Sequence, residues 1–300
     1  MKATLISTTA VADGPKAKGK AGGKARAKEA LKRRLVEHNG ETAHPQVKEA
    51  INNLVQLAAE ERGAESSWSP AQDMDVNRGN WRSITTPPFP GKLPVDDDGK
   101  AKFTLGRMSF GMFKPTKIVC AVEYIVNIIE PINDATEELV EKESKNGETP
   151  SWTQTYNMEA SIEIETPSGK LLPARLMNYG VCFPQSSTRL GVKFSKGTLQ
   201  PRFDSSSSEN VKHVALWKET FDEAIAKEAD AQSYLGQIGT WTMHKLMDAM
   251  MGLEPPADRS DYTQMYVMRR PYAGYSDILY LDGDFRVMRG NRGTVVVLER

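Results

Sequence analysis

The carboxyl end of the chain, residues 274–300, constrains the fold more than any other stretch. Short β-rich runs alternate there with tight turns built from Asp, Asn and Gly. The last run is almost entirely β-branched, a composition typical of buried strands. Three strands at the end of a chain need a partner, so we predict that they close a sheet begun far upstream. The runs cover residues 275–281, 285–288 and 294–298.

The same residues form a longer motif. Its order is Tyr-Leu-Asp, an acidic residue, an apolar residue, Arg, an aliphatic residue, Arg-Gly, a second Gly and an apolar strand. In this chain it occupies Tyr280-Leu281-Asp282, Asp284-Phe285-Arg286-Val287, Arg289-Gly290-Asn291, Gly293 and residues 295–298. The motif resembles the carboxyl signature of the plastid-lipid-associated protein family, the fibrillins. The resemblance implies a lipocalin-like β-barrel that binds or organises apolar small molecules or lipids in plastids, at thylakoids or plastoglobules.

Length and composition narrow the class of protein. A chain of 300 residues suits one large β domain with additions, or two modest domains. Its two cysteines, Cys120 and Cys182, give no disulfide framework, which fits a reducing compartment. No apolar run approaches the roughly 20 residues of a membrane-spanning helix. We therefore expect a protein that is soluble or peripheral to a membrane.

Residues 1–34 are strongly basic. Ten Lys or Arg residues stand against two acidic ones, a net charge of +8. A low content of acidic residues is typical of an organelle-targeting segment and also of a basic disordered arm, and both alternatives stay open. No aromatic residues interleave the charges, so we expect no nucleic-acid partner. We divide the chain into this segment and a fibrillin-like domain at residues 35–300.

A helical region is predicted at residues 35–65, before the first strand. Pro45 suits the first position of a helix, and Gly63 ends it. Between them an apolar stripe follows helical spacing. Gly79-Asn80-Trp81 comes next and resembles the lipocalin entry motif, in which the Trp plugs the closed end of the barrel. The stripe consists of Val47, Ile51, Leu54, Val55 and Ala58.

The strongest strand signals lie at residues 102–113 and 116–129. In the second, Ile118, Cys120, Val122, Tyr124, Val126 and Ile128 alternate on one apolar face. Further strands are predicted at residues 158–165, 171–181 and 189–194. With the carboxyl runs they give roughly eight to ten strands, enough to close a barrel. The predicted fold class is mainly β with added helices (α+β), a lipocalin-like antiparallel β-barrel at residues 79–300.

A helical insertion is predicted at about residues 210–256, before the last strands. Trp217, Phe221 and Ile225 repeat every four residues on its first helix. Its second helix covers residues 240–251 and places several methionines on one face. That face either caps the barrel or serves as a lid or membrane-resting surface.

No pattern in the sequence indicates catalysis, so we expect no enzyme. The histidines lack metal-ligand spacing, and a nucleophile elbow, a phosphate loop and a dinucleotide fingerprint are all missing. Cys120 falls on the apolar face of its strand and is predicted to be a core residue. Residues 289–293 are predicted to form a hairpin turn. No cofactor and no metal are expected. The four histidines are His38, His44, His213 and His244.

Three functional hypotheses follow. The first is a protein that binds a hydrophobic small molecule or lipid in the barrel. Arginines near the mouth of the barrel would orient the polar head of the ligand. The second is a structural coat or scaffold protein whose barrel is filled by its own side chains. The third, an enzyme on a similar barrel, needs a convergent polar cluster. The first hypothesis expects ligand contacts at Trp81, Tyr124, Tyr280, Arg286 and Arg289.

Asp282 has two interpretations in this scheme. It either accepts hydrogen bonds from its own turn, or pairs with Arg286 or Arg289 near the mouth of a ligand site.

Overall fold

The computed structural model describes residues 18–62, 68–94, 99–109, 111–132, 154–203, 208–234 and 263–300. In this part of the chain ten strands form one sheet, eight of them close into a barrel, and five helices lie around it. The predicted fold class, a mainly β protein with an antiparallel barrel and added helices, is confirmed.

The elements are named here in chain order. The helices are α1 (Lys18–Glu37), α2 (Pro45–Arg62), α3 (Met74–Asn77), α4 (Leu105–Met108) and α5 (Ser208–Tyr234). The strands are β1 (Gly79–Ser83), β2 (Ala101–Thr104), β3 (Val119–Ile129), β4 (Gln154–Thr155), β5 (Asn157–Glu165), β6 (Leu171–Pro184), β7 (Arg189–Pro201), β8 (Gln264–Leu281), β9 (Phe285–Gly290) and β10 (Val295–Glu299).

The barrel has a simple up-and-down topology. Going around it, the order is β1, β3, β5, β6, β7, β8, β9 and β10, with every neighbour antiparallel. β10 pairs back with β1 and closes the ring, as predicted for the carboxyl strands. β2 extends the sheet from the free part of β3, and β4 pairs with β6. Closure satisfies the backbone groups that an open sheet would expose.

A bulge in β3 decides which of its side chains face the interior. The register with β5 shifts between Val122 and Tyr124, so the buried positions change phase there. Before the bulge Cys120 and Val122 are buried, and after it Ile125 is buried while Tyr124 is only half-buried. A strand that alternates without interruption, as predicted from the sequence, would have kept Tyr124 on the inner face.

Residues 68–77 close one end of the barrel around Trp81. The Trp81 side chain is fully buried, and its Nε1 donates a hydrogen bond of 2.8 Å to the Asn77 carbonyl. This is the position expected for a tryptophan that plugs a barrel end. Its apolar cluster contains Ala71, Ile129, Leu190, Ile278, Met288 and Leu298.

The helix α5 packs against a second inner cluster. Trp217 stacks on Phe221 with 4.7 Å between ring centroids, and both rings join the apolar side chains of β2, β3, β5 and β6. Glu228 accepts hydrogen bonds from the backbone N and the hydroxyl of Thr116. The predicted helix around Trp217 and Phe221 is therefore present, and its side chains complete the core of this half of the barrel.

The helices α1 and α2 pack on the outside of β8, β9 and β10. Leu31 and Leu54, one from each helix, are fully buried against Phe285 and Val287, which face outward from β9. The helix α1 crosses the boundary that we drew at residue 34. Residues 22–34 are helical and partly buried, so a disordered arm does not describe them.

Two further predictions concern local structure. The strand predicted at residues 102–113 is wrong beyond Thr104, because the short helix α4 follows at once. Non-local hydrogen bonds cause the change: the Leu105 and Gly106 amides donate to the Ile118 and Thr116 carbonyls. The helix predicted at residues 240–251, and its two interpretations, lie outside the described residues. No described helix is long and apolar enough to cross a membrane.

Candidate functional site

A cavity of about 280 Å³ lies inside the barrel. Its mouth is between the loop at residues 88–90 and the turn that joins β9 to β10. Because the inner faces of β3, β5, β9 and β10 form its walls, most of the lining is apolar. The apolar lining side chains are Ile125, Met158, Met288, Val296 and Leu298, and the polar ones include Ser83, Asn127, Tyr156 and Ser276.

Arg286 lies beside this cavity and is completely buried. Burial lowers the pKa of its guanidinium to about 10, so the group is still cationic at neutral pH. Its Nη2 donates a hydrogen bond of 3.0 Å to Oδ1 of Asn127, which lines the cavity. Among the described residues, no protein acceptor bonds its Nε or Nη1. A buried cation with one neutral acceptor is costly unless something else compensates it.

The orientation of the Asn127 amide is fixed by a second hydrogen bond. Its Nδ2 donates to the Asn157 carbonyl at 3.0 Å, so Oδ1 is left to face the guanidinium of Arg286. The oxygen and one of the two N–H groups of the amide are thereby used. Asn127 links the buried charge to the cavity wall without neutralising it.

Trp81 lies between two guanidinium groups at the closed end. The Cζ atom of Arg286 is 4.7 Å from the Trp81 ring centroid, and that of Arg300 is 4.5 Å away. Arg300 also donates hydrogen bonds to the carbonyls of Val76 and Arg78, which lead into β1. Cation–π contact stabilises each arginine. The two like charges repel, and Arg300 adds to the lowering of the pKa of Arg286.

Tyr156 completes the polar part of the cavity. Burial raises the pKa of its phenol, and the nearby charge of Arg286 opposes that shift. Hydrogen bonds with Ser276 and Asn127 act in the same direction as Arg286. Asn127, Tyr156 and Ser276 therefore meet the cation Arg286 at one side of a mostly apolar space.

The five residues expected to contact a ligand do not come together. Trp81 and Arg286 are adjacent inside the barrel, as described above. Tyr124 lies outside, with Arg82 5.2 Å from its ring, because the bulge in β3 reverses its face. Tyr280 also lies outside and packs with the α1–α2 layer, because a second bulge falls between Ile278 and Tyr280.

Arg289 is placed at the surface, on the outward side of the strand end. Its Nη2 lies 3.5 Å from Oδ2 of Asp277, and about half of its side chain is exposed. Asp277 is bonded more closely by Arg189, and that hydrogen bond is the main reason why the pKa of Asp277 is lowered. Arg289 thus belongs to a surface ion-pair group and does not line the cavity.

Asp282 accepts hydrogen bonds from its own turn, which confirms the first of its two interpretations. The amides of Asp284 and Phe285 donate to its Oδ1, and the Tyr280 hydroxyl donates to its Oδ2 at 2.6 Å. Lys28 of α1 is 2.7 Å from the same oxygen. Burial raises the pKa of Asp282, but these hydrogen bonds outweigh it and lower the pKa to about 2.

The predictions for Cys120 and for the turn at residues 289–293 are confirmed. Cys120 is fully buried in the core, and burial raises the pKa of its thiol. Burial also raises the pKa of Cys182, to about 12. The Gly293 amide donates to the Gly290 carbonyl and closes the hairpin. Within the described ranges, no group of three or more His, Cys, Asp or Glu side chains could hold a metal ion.

A second cavity of about 580 Å³ lies outside the barrel. It runs between the end of α1 and the outer side of β3, and Tyr124 contributes to its wall. Lys92, Lys100 and Glu123 also line it, so this groove is more polar than the inner cavity. The inner cavity is the better candidate for an apolar guest because its walls are the core-facing sides of strands.

Sequence reasoning missed the polar residues of the cavity. Uninterrupted alternation along β3 puts Asn127 on the face opposite to Cys120 and Val122, because it does not include the bulge. Tyr156 and Ser276 carried no motif. The one available signal was the polar Asn127 within a strand that is otherwise almost wholly apolar.

No protein-family model, curated protein or solved structure matches the chain.

Proposed function

We propose that the protein binds an apolar small molecule or lipid inside its barrel, as a carrier or organiser and not as an enzyme. The observation that carries the proposal is the inner cavity of about 280 Å³ with its mostly apolar lining. This volume is near the lower end of the range of about 300–1,000 Å³ for small-molecule sites. Burial of an apolar guest contributes about 25 cal/mol per Å² removed from water.

The cavity volume limits the size of the guest. It suits a single short chain or a compact ring system, whereas a whole membrane lipid exceeds it. A longer molecule fits only when part of it extends through the mouth between residues 88–90 and the turn after β9. The guest is therefore expected to be a single-chain amphiphile or the terminal part of a larger lipid.

The resemblance of the carboxyl motif to the fibrillins supports a plastid location, at the surface of thylakoids or plastoglobules. The proposed targeting signal lies in the basic segment 1–34, of which residues 22–34 also pack on the barrel. Fusing these residues to a fluorescent reporter and measuring its import into isolated plastids tests this part. A fusion that is imported no better than the reporter alone would contradict it.

The alternative is a structural scaffold or coat protein with a filled barrel. One observation favours it: Trp217 and Phe221 of α5, together with Phe113, fill the other half of the barrel interior. A filled interior stabilises the fold but leaves little room for a guest. The two functions differ in one respect that can be measured, which is whether the inner cavity takes up a small molecule.

Two neighbouring residues of β10 give a matched test. Val296 lines the cavity, whereas Val295 packs outward with the α1–α2 layer. We expect Val296→Phe to fill the cavity and weaken binding of the neutral fluorescent probe N-phenyl-1-naphthylamine by at least about tenfold. Val295→Phe adds the same volume on the other face and should keep the affinity of the wild type.

Fluorescence titration of the purified proteins gives the three affinities, and circular dichroism verifies that each variant is folded. Equal affinities in all three proteins would place the probe outside the barrel. If the wild type does not bind the probe at all, the scaffold function is the better explanation.

A further inference from the structure

The buried charge of Arg286 is not neutralised by any described residue. Its side chain is 0% exposed, yet only Asn127 among them accepts a hydrogen bond from the guanidinium. Removing a cation from water is costly, and the usual compensation is a carboxylate with several hydrogen bonds. Nε and Nη1 have no hydrogen-bond acceptor within the described part of the chain.

The uncompensated charge lies at the wall of the apolar cavity. Asn127 contacts the guanidinium and the cavity, because its Oδ1 accepts a hydrogen bond from Nη2 of Arg286 and its side chain lines the cavity. Leu298, another lining residue, is the direct pairing partner of Arg286 across β9 and β10. Tyr156 lines the cavity too, and its ionisation responds to the charge of Arg286. The guanidinium therefore lies directly beside the Asn127 amide, at the wall of the space where a guest would lie.

We propose that the guest is an amphiphile with an acidic head, bound head-inward, whose carboxylate accepts hydrogen bonds from Arg286. The proposal rests on the function proposed above and adds the class of ligand. The apolar body lies against Ile125, Met158 and Val296, and its far end points to the mouth. In this arrangement the ligand supplies the anion that the described residues do not.

The charge balance favours a monoanion. One guanidinium neutralises one carboxylate, and Asn127, Tyr156 and Ser276 can complete its hydrogen bonds. A phosphomonoester carries a charge of about −1.5 to −2 at neutral pH and would leave buried charge uncompensated. Charge-assisted hydrogen bonds are roughly twice as strong as neutral ones, so the head group contributes selectivity as well as affinity.

A purely structural role is the competing explanation. Arg286 packs on Trp81, with 4.7 Å between Cζ and the ring centroid, and this contact helps to close the barrel end. If that is its whole function, the head group of a guest makes no difference to binding. A second competitor is Arg292, an exposed residue at the cavity mouth. If Arg292 binds the head, the guest lies in the opposite direction.

The test compares two competitors of equal length, decanoic acid and decan-1-ol. Each displaces N-phenyl-1-naphthylamine from the purified full-length protein at neutral pH. We expect the acid to bind the wild type about ten- to a hundredfold more tightly than the alcohol, the gain typical of a hydrogen bond to a charged group. Equal affinities for acid and alcohol would overturn this inference and leave the proposed function intact. Failure of all three molecules to bind would reject the proposed function itself.

Two variants test the role of Arg286. Arg286→Met removes the charge and keeps the cavity wall apolar. Asn127→Asp keeps the positive charge of Arg286. It places a carboxylate where the amide oxygen was, 3.0 Å from Nη2 of Arg286, and so neutralises that charge. Both should abolish the preference for the acid, measured in each variant as the ratio of its affinities for decanoic acid and decan-1-ol. Circular dichroism verifies that each variant is folded.

Arg175→Gln is the matched control. Arg175 lies on the outer side of β6, 3.8 Å from Glu159, and its side chain is partly exposed. It should retain the preference for the acid. Retention of the preference in Asn127→Asp and Arg286→Met would overturn the inference. So would its loss in Arg292→Gln alone, because the head would then be at the mouth.

Discussion

At the scale of single residues, Asp282 connects the carboxyl motif to helix α1. It accepts hydrogen bonds from Lys28, from Tyr280 and from its own turn. Burial alone would lower the pKa of Lys28, but its hydrogen bonds to Asp282 and Asp284 outweigh that effect and raise it. Asp282 in the Tyr-Leu-Asp motif therefore has a structural role in joining the helical layer to the barrel.

This contact predicts a specific pH dependence. The pKa of Asp282 is lowered in the folded protein from 3.8 to about 2, so its ionised form stabilises the fold above pH 3.8. That contribution is lost as the pH falls from 3.8 towards 2. Asp282→Asn keeps the turn acceptor but removes the charge. Since the side chain is one-third exposed, we expect the variant to lose about 1 kcal/mol at pH 6 and almost nothing at pH 2.

Urea unfolding of both proteins across this pH range measures the difference. If the free energies of unfolding of wild type and variant differ by the same amount from pH 6 to pH 2, the charge of Asp282 does not stabilise the fold.

Residue positions were predictable from the sequence only where the strands are regular. Trp81 was predicted correctly as the residue that plugs the barrel end, because a motif identified it. Arg286 was expected near the mouth, whereas it lies buried beside Trp81 at the closed end. Tyr124 and Tyr280 were misplaced, since each follows a bulge and one extra residue turns the next side chain to the other face. No composition signal in either strand marks the bulge.

At the scale of elements, helix α1 stabilises the barrel through one buried face. Leu31 is fully buried in the layer against β9, whereas Val36 on the same helix is 80% exposed. Leu31→Ala should therefore lower the free energy of unfolding by about 2–5 kcal/mol. Val36→Ala, the matched control, should change it by less than about 0.5 kcal/mol.

Chemical denaturation of the two variants tests the role of α1. Similar small changes for both would mean that the helix is not docked on the barrel in solution. The boundary at residue 34 was drawn from the charge pattern, which does not show that Ala27, Leu31 and Leu35 share one buried face of a longer helix. Helix existence was predictable in α2, whose apolar stripe has fewer charges around it.

The end of β2 shows why local pattern has limits. Phe103 and Leu105 alternate as in a strand, yet the chain forms α4 from Leu105 onward. Contacts with the segment before β3 decide this, and Gly106 permits them because a Cβ atom there would lie 2.7 Å from Thr116. The conformation of residues 105–108 therefore depends on contacts with a segment distant in sequence, and the local sequence pattern does not predict it.

At the scale of the whole molecule, β10 completes the barrel. It pairs with β9 on one side and with β1 on the other. Truncation after Gly293 should therefore leave two unpaired edges and give an aggregating protein without a cooperative thermal transition. Arg292→Ala, which alters an exposed side chain of the same hairpin, should melt like the wild type. A soluble truncated protein with a cooperative transition would contradict the role of β10 in closure.

The closed barrel itself was predictable, because alternation and turns at the carboxyl end indicate several consecutive antiparallel strands. The cavity was not, since its volume depends on how the inner side chains pack across strands far apart in sequence. Asn127 and Ser276, for example, meet only after closure. Whether a barrel is filled or hollow is therefore a property of the three-dimensional packing.

The most direct test of the account is a crystal structure of the protein with 10-bromodecanoic acid, in which anomalous scattering locates the bromine. We predict that the carboxylate lies within hydrogen-bond distance of Arg286 and Asn127, about 2.7–3.2 Å. The bromine should lie towards the mouth, near residues 88–90. A bromine beside Arg286, or a ligand bound only in the groove between α1 and β3, would contradict the account.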